Sequence, residues 1–294
     1  MGGALSAFLF LSVTFIPNFG MALLSSLAPI PLYMVGLALG RRPAIVASLI
    51  TCTLIFLMTH PIHGLSYTLL YALPILALTD RSLLNRKVGK NTHWYPAGRL
   101  ALWLVGMTVA IVFVAVLMIA PYSDPTQMME SIQQLGSILG PQPDEALEAL
   151  SKVLPYFPAF FGFSWCFSMI INAALAQGIL VGFKANLRPS PSLTNIQFPR
   201  WLLAITAMSF ALALFDLSTV TQLARNLFPI LLIPFILAGI GYVHTRIKQL
   251  PSPQFFFILF YLALIFFSWG LLFLAVGGII LTTIQHQASN SSKK

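Results

Sequence analysis

Acidic residues are scarce in this chain, with seven Asp and Glu among 294 positions. Charged residues of both signs make up only 8%, against roughly a quarter in an ordinary soluble domain, so a soluble globular class is excluded. Cysteine is limited to Cys52 and Cys166. Both fall in apolar stretches, without the spacing of a disulfide framework or a zinc site, and read as small buried hydrophobes. The motifs of familiar chemistry are missing as well. There is no HExxH, CxxC, GxGxxG or P-loop, which removes zinc hydrolysis, dinucleotide binding and ATP hydrolysis by this chain. Gly162–Trp165 reads GFSW and lacks the glycine that a serine nucleophile elbow needs after the serine. His60 and His63 flank Pro61 with no acidic residue near, which fits a membrane-interface turn better than a metal site. No basic stretch is long or interleaved with aromatics, so no nucleic-acid partner is expected. Nothing calls for a cofactor.

What is abundant is apolar. Hydrophobic residues make up 58% of the chain, and mean hydropathy is +0.87. Seven runs carry no Asp, Glu, Lys or Arg: Met1–Gly40, Pro43–Thr79, Leu100–Ser123, Val153–Phe183, Trp201–Phe215, Asn226–Thr245 and Gln249–Ser292. A span needs about 20 apolar residues, and a charge at mid-bilayer costs about 2.5–3.5 kcal/mol. The runs are continuous rather than alternating, which argues against a transmembrane barrel. The expected fold is therefore all-α, a polytopic bundle of about eight or nine membrane helices. Residues 1–294 are expected to form one integral membrane domain, with an extracytoplasmic helical connector at 123–152 and a flexible polar tail at 285–294. The first run lacks a basic n-region and reads as an uncleaved signal anchor.

Proline and glycine divide the runs. The spacing predicts helices over Ala4–Ser25 and Leu32–Gly40, interrupted by Pro29 and Pro31. Two short helices, Ala44–Thr59 and Leu65–Thr79, are split by the turn His60–Gly64. Further helices are expected over Leu100–Pro121, Pro155–Phe183, Trp201–Leu217 and Arg225–His244. The last run, Phe255–Ile284, is either one tilted helix or a hairpin broken near Ser268–Gly270. Between them, Asp124–Lys152 carries five acidic residues and one lysine. Asp124 before Pro125 has the pattern of a helix N-cap. Met128, Ile132, Leu135 and Leu139, then Leu147, Leu150 and Leu154, mark two amphipathic helices outside the membrane. They read as a packed connector or as a lid over an outward cavity.

Charge sets the orientation. Arg41 with Arg42, Asp80–Arg99, Lys184–Arg200 and Arg246 with Lys248 are all net basic, and even numbers of spans separate the first three. Basic short loops face the cytoplasm, so these segments are expected inside and the acidic segment outside.

Two polar features stand out within the spans. Ser164, Ser168 and Asn172 recur every four residues and share a helix face. Beside them Ala174, Gly178 and Gly182 form a small-residue ladder, and Gln177 adds an amide. This face reads as a helix-packing seam or as a ligand lining. Asp216 lies 16 residues past Arg200, roughly 24 Å along a helix, and Arg225 follows across a short turn. The two read as a local ion pair or as part of a solute or proton site.

Three segments carry a family resemblance: LAPIPLYMVGLALGRRPAIVASLI, NAALAQGILVGFKANLRPSPSLTNIQFPRWL and NLFPILLIPFILAGIGYVH. Together they resemble the YybS-like family of predicted bacterial membrane proteins. The proline-led helix ending in Gly-Arg-Arg is also similar to the substrate-binding S components of energy-coupling-factor transporters. That resemblance implies a bacterial cytoplasmic membrane and a small-solute-binding protein that needs a separate ATPase or membrane-coupling module. The early AxxxA docking motif of S components is not supplied by Ala22 and Ala28. The alternative is a non-transport scaffold or regulatory protein of the cell envelope. The residues to watch as ligand contacts are Ser164, Ser168, Asn172, Gln177, Asp216 and Arg225; no catalytic residue and no metal ligand is assigned.

Overall fold

The computed structural model describes residues 1–119, 152–193, 196–215 and 219–291. The expected extracytoplasmic helices of the acidic connector lie outside the described residues, and so does Asp216. Among the described residues the chain is a set of α-helices with one small β-hairpin, as an all-α membrane bundle requires. Among the described residues seven helical stretches are long and apolar enough to cross a membrane, and three shorter apolar helices accompany them.

The first run differs from expectation. It forms α1 (Gly2–Phe15) and α2 (Phe19–Ser26) instead of one helix over Ala4–Ser25. Pro17 cannot continue α1, and Asn18 then caps α2 by accepting the Met21 N–H at 2.9 Å. Pro29 and Pro31 do not interrupt the next helix. They open it, in the first turn of α3 (Pro29–Leu39), where a missing N–H is harmless. Gly40 separates α3 from α4 (Arg41–Met58) at φ 84°, a conformation that L-residues other than glycine seldom adopt. After α4, His60 caps the next helix by accepting the Ile62 N–H, and Pro61 begins it. That helix, α5 (Pro61–Ser82), starts at Pro61 rather than Leu65. It contains a wide turn at Thr68–Ala72 just ahead of Pro74.

The segment Asn85–Trp94 forms the hairpin β1 (Asn85–Val88) and β2 (Asn91–Trp94), with Arg86 opposite His93 and Val88 opposite Asn91. Gly89 turns it at φ 60°, at the first position of a two-residue turn, where glycine is favoured. Helix α6 (Ala97–Ile119) follows, then α7 (Phe157–Gly182), α8 (Arg200–Ala213) and α9 (Thr219–Ile247). The last run is not one tilted helix. It divides into α10 (Pro253–Phe266) and α11 (Gly270–Ser291). Helix α11 runs through 285–291, the start of the expected polar tail.

Contacts cluster into two units. The first comprises Met1–Leu104 with Cys166–Ser192, and the second Val105–Trp165 with Leu193–Lys294. In the first unit, α1 lies backbone to backbone on α4. A methyl added to Gly3 would overlap the Ala47 carbonyl, and the Thr51 hydroxyl donates to the carbonyls of Gly3 (2.8 Å) and Ala47 (3.0 Å). Gly36 packs against Thr79 so closely that a Cβ would meet its Oγ1 at 2.7 Å. Small residues allow such approach where lipid supplies no hydrophobic drive.

The basic segments of this unit converge at one end. Arg188 donates to the carbonyls of Ser82 and Tyr95, each at 2.8 Å. Arg41 lies 4.0 Å from Asp80, and the Leu187 N–H reaches the Leu37 carbonyl.

In the second unit, α8 and α9 form a hairpin, tied by the Ser209 hydroxyl to the Ala224 carbonyl at 3.1 Å. Helices α9 and α11 cross at paired glycines. A Cβ on Gly239 would overlap the Leu274 carbonyl, and one on Gly278 the Phe235 carbonyl. The C-terminal part of α11 is held at the start of α8. The His286 ring donates to the Phe198 carbonyl at 2.8 Å, and Arg200 donates to the His286 carbonyl at 2.9 Å.

Candidate functional site: a broken helix with a buried amide

The polar centre of the first unit arises from the break between α2 and α3. In an unbroken helix the Ser26 carbonyl would accept from Ile30, but the Ile30 N–H turns back to Leu27 at 3.0 Å. A freed carbonyl within a membrane span needs a donor from a neighbouring element. Asn172, on α7, supplies it. Its amide donates to the Ser26 carbonyl at 3.0 Å and to the Ser168 carbonyl at 2.8 Å. At Ala28, two residues on, the donor is the Ser6 hydroxyl at 2.6 Å. Ser6 has one proton and spends it there, so in the 2.7 Å contact between Ser6 and Tyr67 the tyrosine is the donor. Helices α1, α5 and α7 thus close around one helix break.

Asn172, Ser6, Ala28 and Tyr67 are buried, whereas Ser168 is half-buried and Ser26 is exposed. Asn172 is 2% exposed, and Ser6 and Tyr67 are at 0%. Tyr33, Cys166 and Met169 are buried in the same unit, and the Tyr33 hydroxyl points at the Met169 sulfur, 4.0 Å away. Among the described residues two buried side-chain oxygens lack a hydrogen-bond partner, Ser48 Oγ on α4 and one atom at the break. The latter is the Asn172 carbonyl oxygen, Oδ1, buried with no hydrogen-bond partner among the described residues. An unmet buried acceptor costs about 1–3 kcal/mol, so a donor arriving there gains more than it would at a satisfied group. The groups at the break are neutral hydroxyls, phenols, an amide and peptide carbonyls. Their chemistry is hydrogen-bond recognition within an apolar wall, with no acid–base pair. Among the described residues no three His, Cys, Asp or Glu side chains come together as a metal site.

The other residues singled out from sequence separate. Ser168 is half-buried, its hydroxyl 3.2 Å from the Asn172 amide. Ser164, one turn earlier, is exposed, so the expected face is not uniform. Ala174, Gly178 and Gly182 are exposed, and no atom would lie within 4 Å of a Cβ on either glycine. The small-residue ladder is therefore not a packing seam among the described residues. Gln177 is buried at the end of α7 and donates to the Arg188 carbonyl at 2.9 Å, away from the break. Arg225 is exposed, and its Nε donates to the Ala213 carbonyl at 3.1 Å, capping α8.

Sequence reasoning missed Ser6, Tyr67, Arg188 and Asn226. Asn226 is 1% exposed. Its Oδ1 accepts the Ala159 N–H at 2.8 Å at the start of α7, and its amide donates to the Pro155 carbonyl at 3.0 Å. The available signal was an amide beside Pro229 in an apolar run. Arg188 was hidden among loop charges. It is 6% exposed and held by carbonyls, and burial pushes its guanidinium pKa down.

No curated protein and no solved structure matches the chain. A family model does, over residues 4–280. Its description is a predicted membrane protein, which agrees with the long apolar helices described above. The chain belongs to that family of predicted membrane proteins, DUF2232.

Proposed function

We propose that the chain is a small-solute-binding membrane protein of transport type, similar in role to an S component. The solute docks at the α2–α3 break and donates a hydrogen bond to the Asn172 Oδ1. The observation that carries this reading is that buried, unpartnered oxygen beside a broken helix. Broken helices inside membranes are tolerated where protein or a binding cavity satisfies them, and transporters place substrate sites at such breaks. The chain has no nucleotide-binding motif, so uptake would need a separate ATPase or membrane-coupling module. Its place is a bacterial cytoplasmic membrane, with the basic segments on the cytoplasmic side.

The test is native mass spectrometry of the full chain purified from its own membranes. A small bound solute is expected on the wild type and not on Asn172→Leu. Solute-free wild-type protein, or a solute that Asn172→Leu retains, overturns the reading. The close contacts of Gly3 and Gly36 in the same unit favour the other reading, a scaffold or regulatory protein of the cell envelope. That reading requires solute-free wild type.

A further inference from the structure

The basic end of the first unit has a composition that its fold does not use up. Nine Lys and Arg side chains, at 41, 42, 81, 86, 87, 90, 99, 184 and 188, stand against a single acid, Asp80. Only Arg41 approaches that acid, and Arg188 is committed to two carbonyls. Arg81 differs from both. Its guanidinium carbon lies 3.8 Å from the centre of the Trp103 ring, and Trp103 is itself oriented by its indole N–H to the Tyr95 hydroxyl at 3.1 Å. Stacking occupies the face of the guanidinium and leaves its N–H edge, which donates to none of the described residues. An edge of that shape matches a phosphate bidentately.

The position says which phosphate. Trp103 is six residues into α6, an apolar span beginning at Ala97, so it lies about 9 Å from the helix start. It is 40% exposed, as tryptophans in the belt between hydrocarbon and headgroups are. Arg99, one turn nearer the helix start, is exposed. The hairpin β1–β2 follows directly from α5, and its Arg86, Lys87 and Lys90 are exposed as well.

We propose that Arg81, stacked on Trp103, binds the phosphate of an anionic phospholipid, and that Arg99 and the basic hairpin complete a headgroup site. The occupant is a lipid of the surrounding leaflet, because the guanidinium and the indole lie at the end of two apolar helices where acyl chains run alongside. Basic side chains near an anionic leaflet are drawn to its surface, an attraction that falls off with salt.

The experiment titrates the detergent-purified full chain with phosphatidylglycerol and follows the thermal unfolding midpoint. Phosphatidylcholine and inorganic phosphate serve as comparison ligands. Phosphatidylglycerol should raise the midpoint, and phosphatidylcholine and inorganic phosphate at the same concentration should not. Arg81→Gln should weaken the response about tenfold, as for one charge-assisted pair. The triple variant Arg86→Gln, Lys87→Gln, Lys90→Gln, all exposed, should weaken it and remove most of its salt dependence. Arg246→Gln, in the other unit, should leave it unchanged. The proposal fails if inorganic phosphate reproduces the shift, if phosphatidylcholine matches phosphatidylglycerol, or if Arg246→Gln costs as much as Arg81→Gln. Should Arg81→Gln not fold, an unchanged response of the triple variant overturns it.

Discussion

The amide of Asn172 holds the carbonyl of Ser26 at 3.0 Å, across 146 residues of sequence. This bond joins α7 to the turn between α2 and α3, where the Ile30 N–H bonds to Leu27 instead of Ser26. The Ser6 hydroxyl of α1 donates to the Ala28 carbonyl, so side chains from α1 and α7 both bond to the backbone at the break.

Removing Ser6 therefore removes two bonds, and removing the Tyr67 hydroxyl removes one. Hydrogen bonds between membrane helices average about 0.6 kcal/mol, with a maximum near 1.7. Ser6→Ala should cost about 1–2 kcal/mol, and Tyr67→Phe about half of that. Thermal unfolding in detergent ranks the two. Equal losses would mean that the Ala28 carbonyl does not depend on Ser6.

Glycines on different helices should respond oppositely to the same change. Gly278→Ala drives a methyl into the Phe235 carbonyl, and overpacking of this kind costs about 1–3 kcal/mol. Gly178→Ala meets open space and exchanges a poor helix former for a good one. The expected outcome is a lower unfolding temperature for the first and an unchanged or higher one for the second.

Arg188 anchors the end of α5 and the hairpin through the Ser82 and Tyr95 carbonyls. Arg188→Gln leaves at least one of these buried acceptors unmet, at about 1–3 kcal/mol. Trypsin should then cut faster at Arg86, Lys87 and Lys90 than in the wild type, with Arg188→Lys intermediate. Identical cleavage rates would show that the hairpin holds its place without Arg188.

The orientation is open to direct chemical test. With Cys52 and Cys166 replaced by Ala, a cysteine at Asn91 should resist a membrane-impermeant maleimide in intact cells. It should react in inverted vesicles. The reverse pattern would place the hairpin outside and undo the positive-inside assignment.

Membrane insertion and the helical class were legible from composition, because a bilayer leaves a continuous apolar run few other options. Proline-led helix starts are earlier than the apolar spacing suggests: α3 opens at Pro29, α5 at Pro61 and α10 at Pro253, against expected starts at Leu32, Leu65 and Phe255. The break at Pro17 was overlooked because its capping partner, Asn18, sits inside an apolar run and acts only locally. The hairpin at Asn85–Trp94 was overlooked because its only strong marker is Gly89 in a basic loop.

Sequence periodicity placed Ser164, Ser168 and Asn172 on one face, and that geometry follows from helix pitch alone. Which of them turns inward was decided by packing. Asn172 is buried because a carbonyl freed at Ser26 lies across from it, whereas Ser164 is exposed. A hydrogen-bond partner 146 positions away leaves no trace in local pattern. The sequence by itself thus determined that this chain lives in a membrane as helices. Only the tertiary structure decided which buried polar atoms, Asn172 Oδ1 and Ser48 Oγ among the described residues, are left without a partner, since that depends on which groups the helices bring together when they assemble.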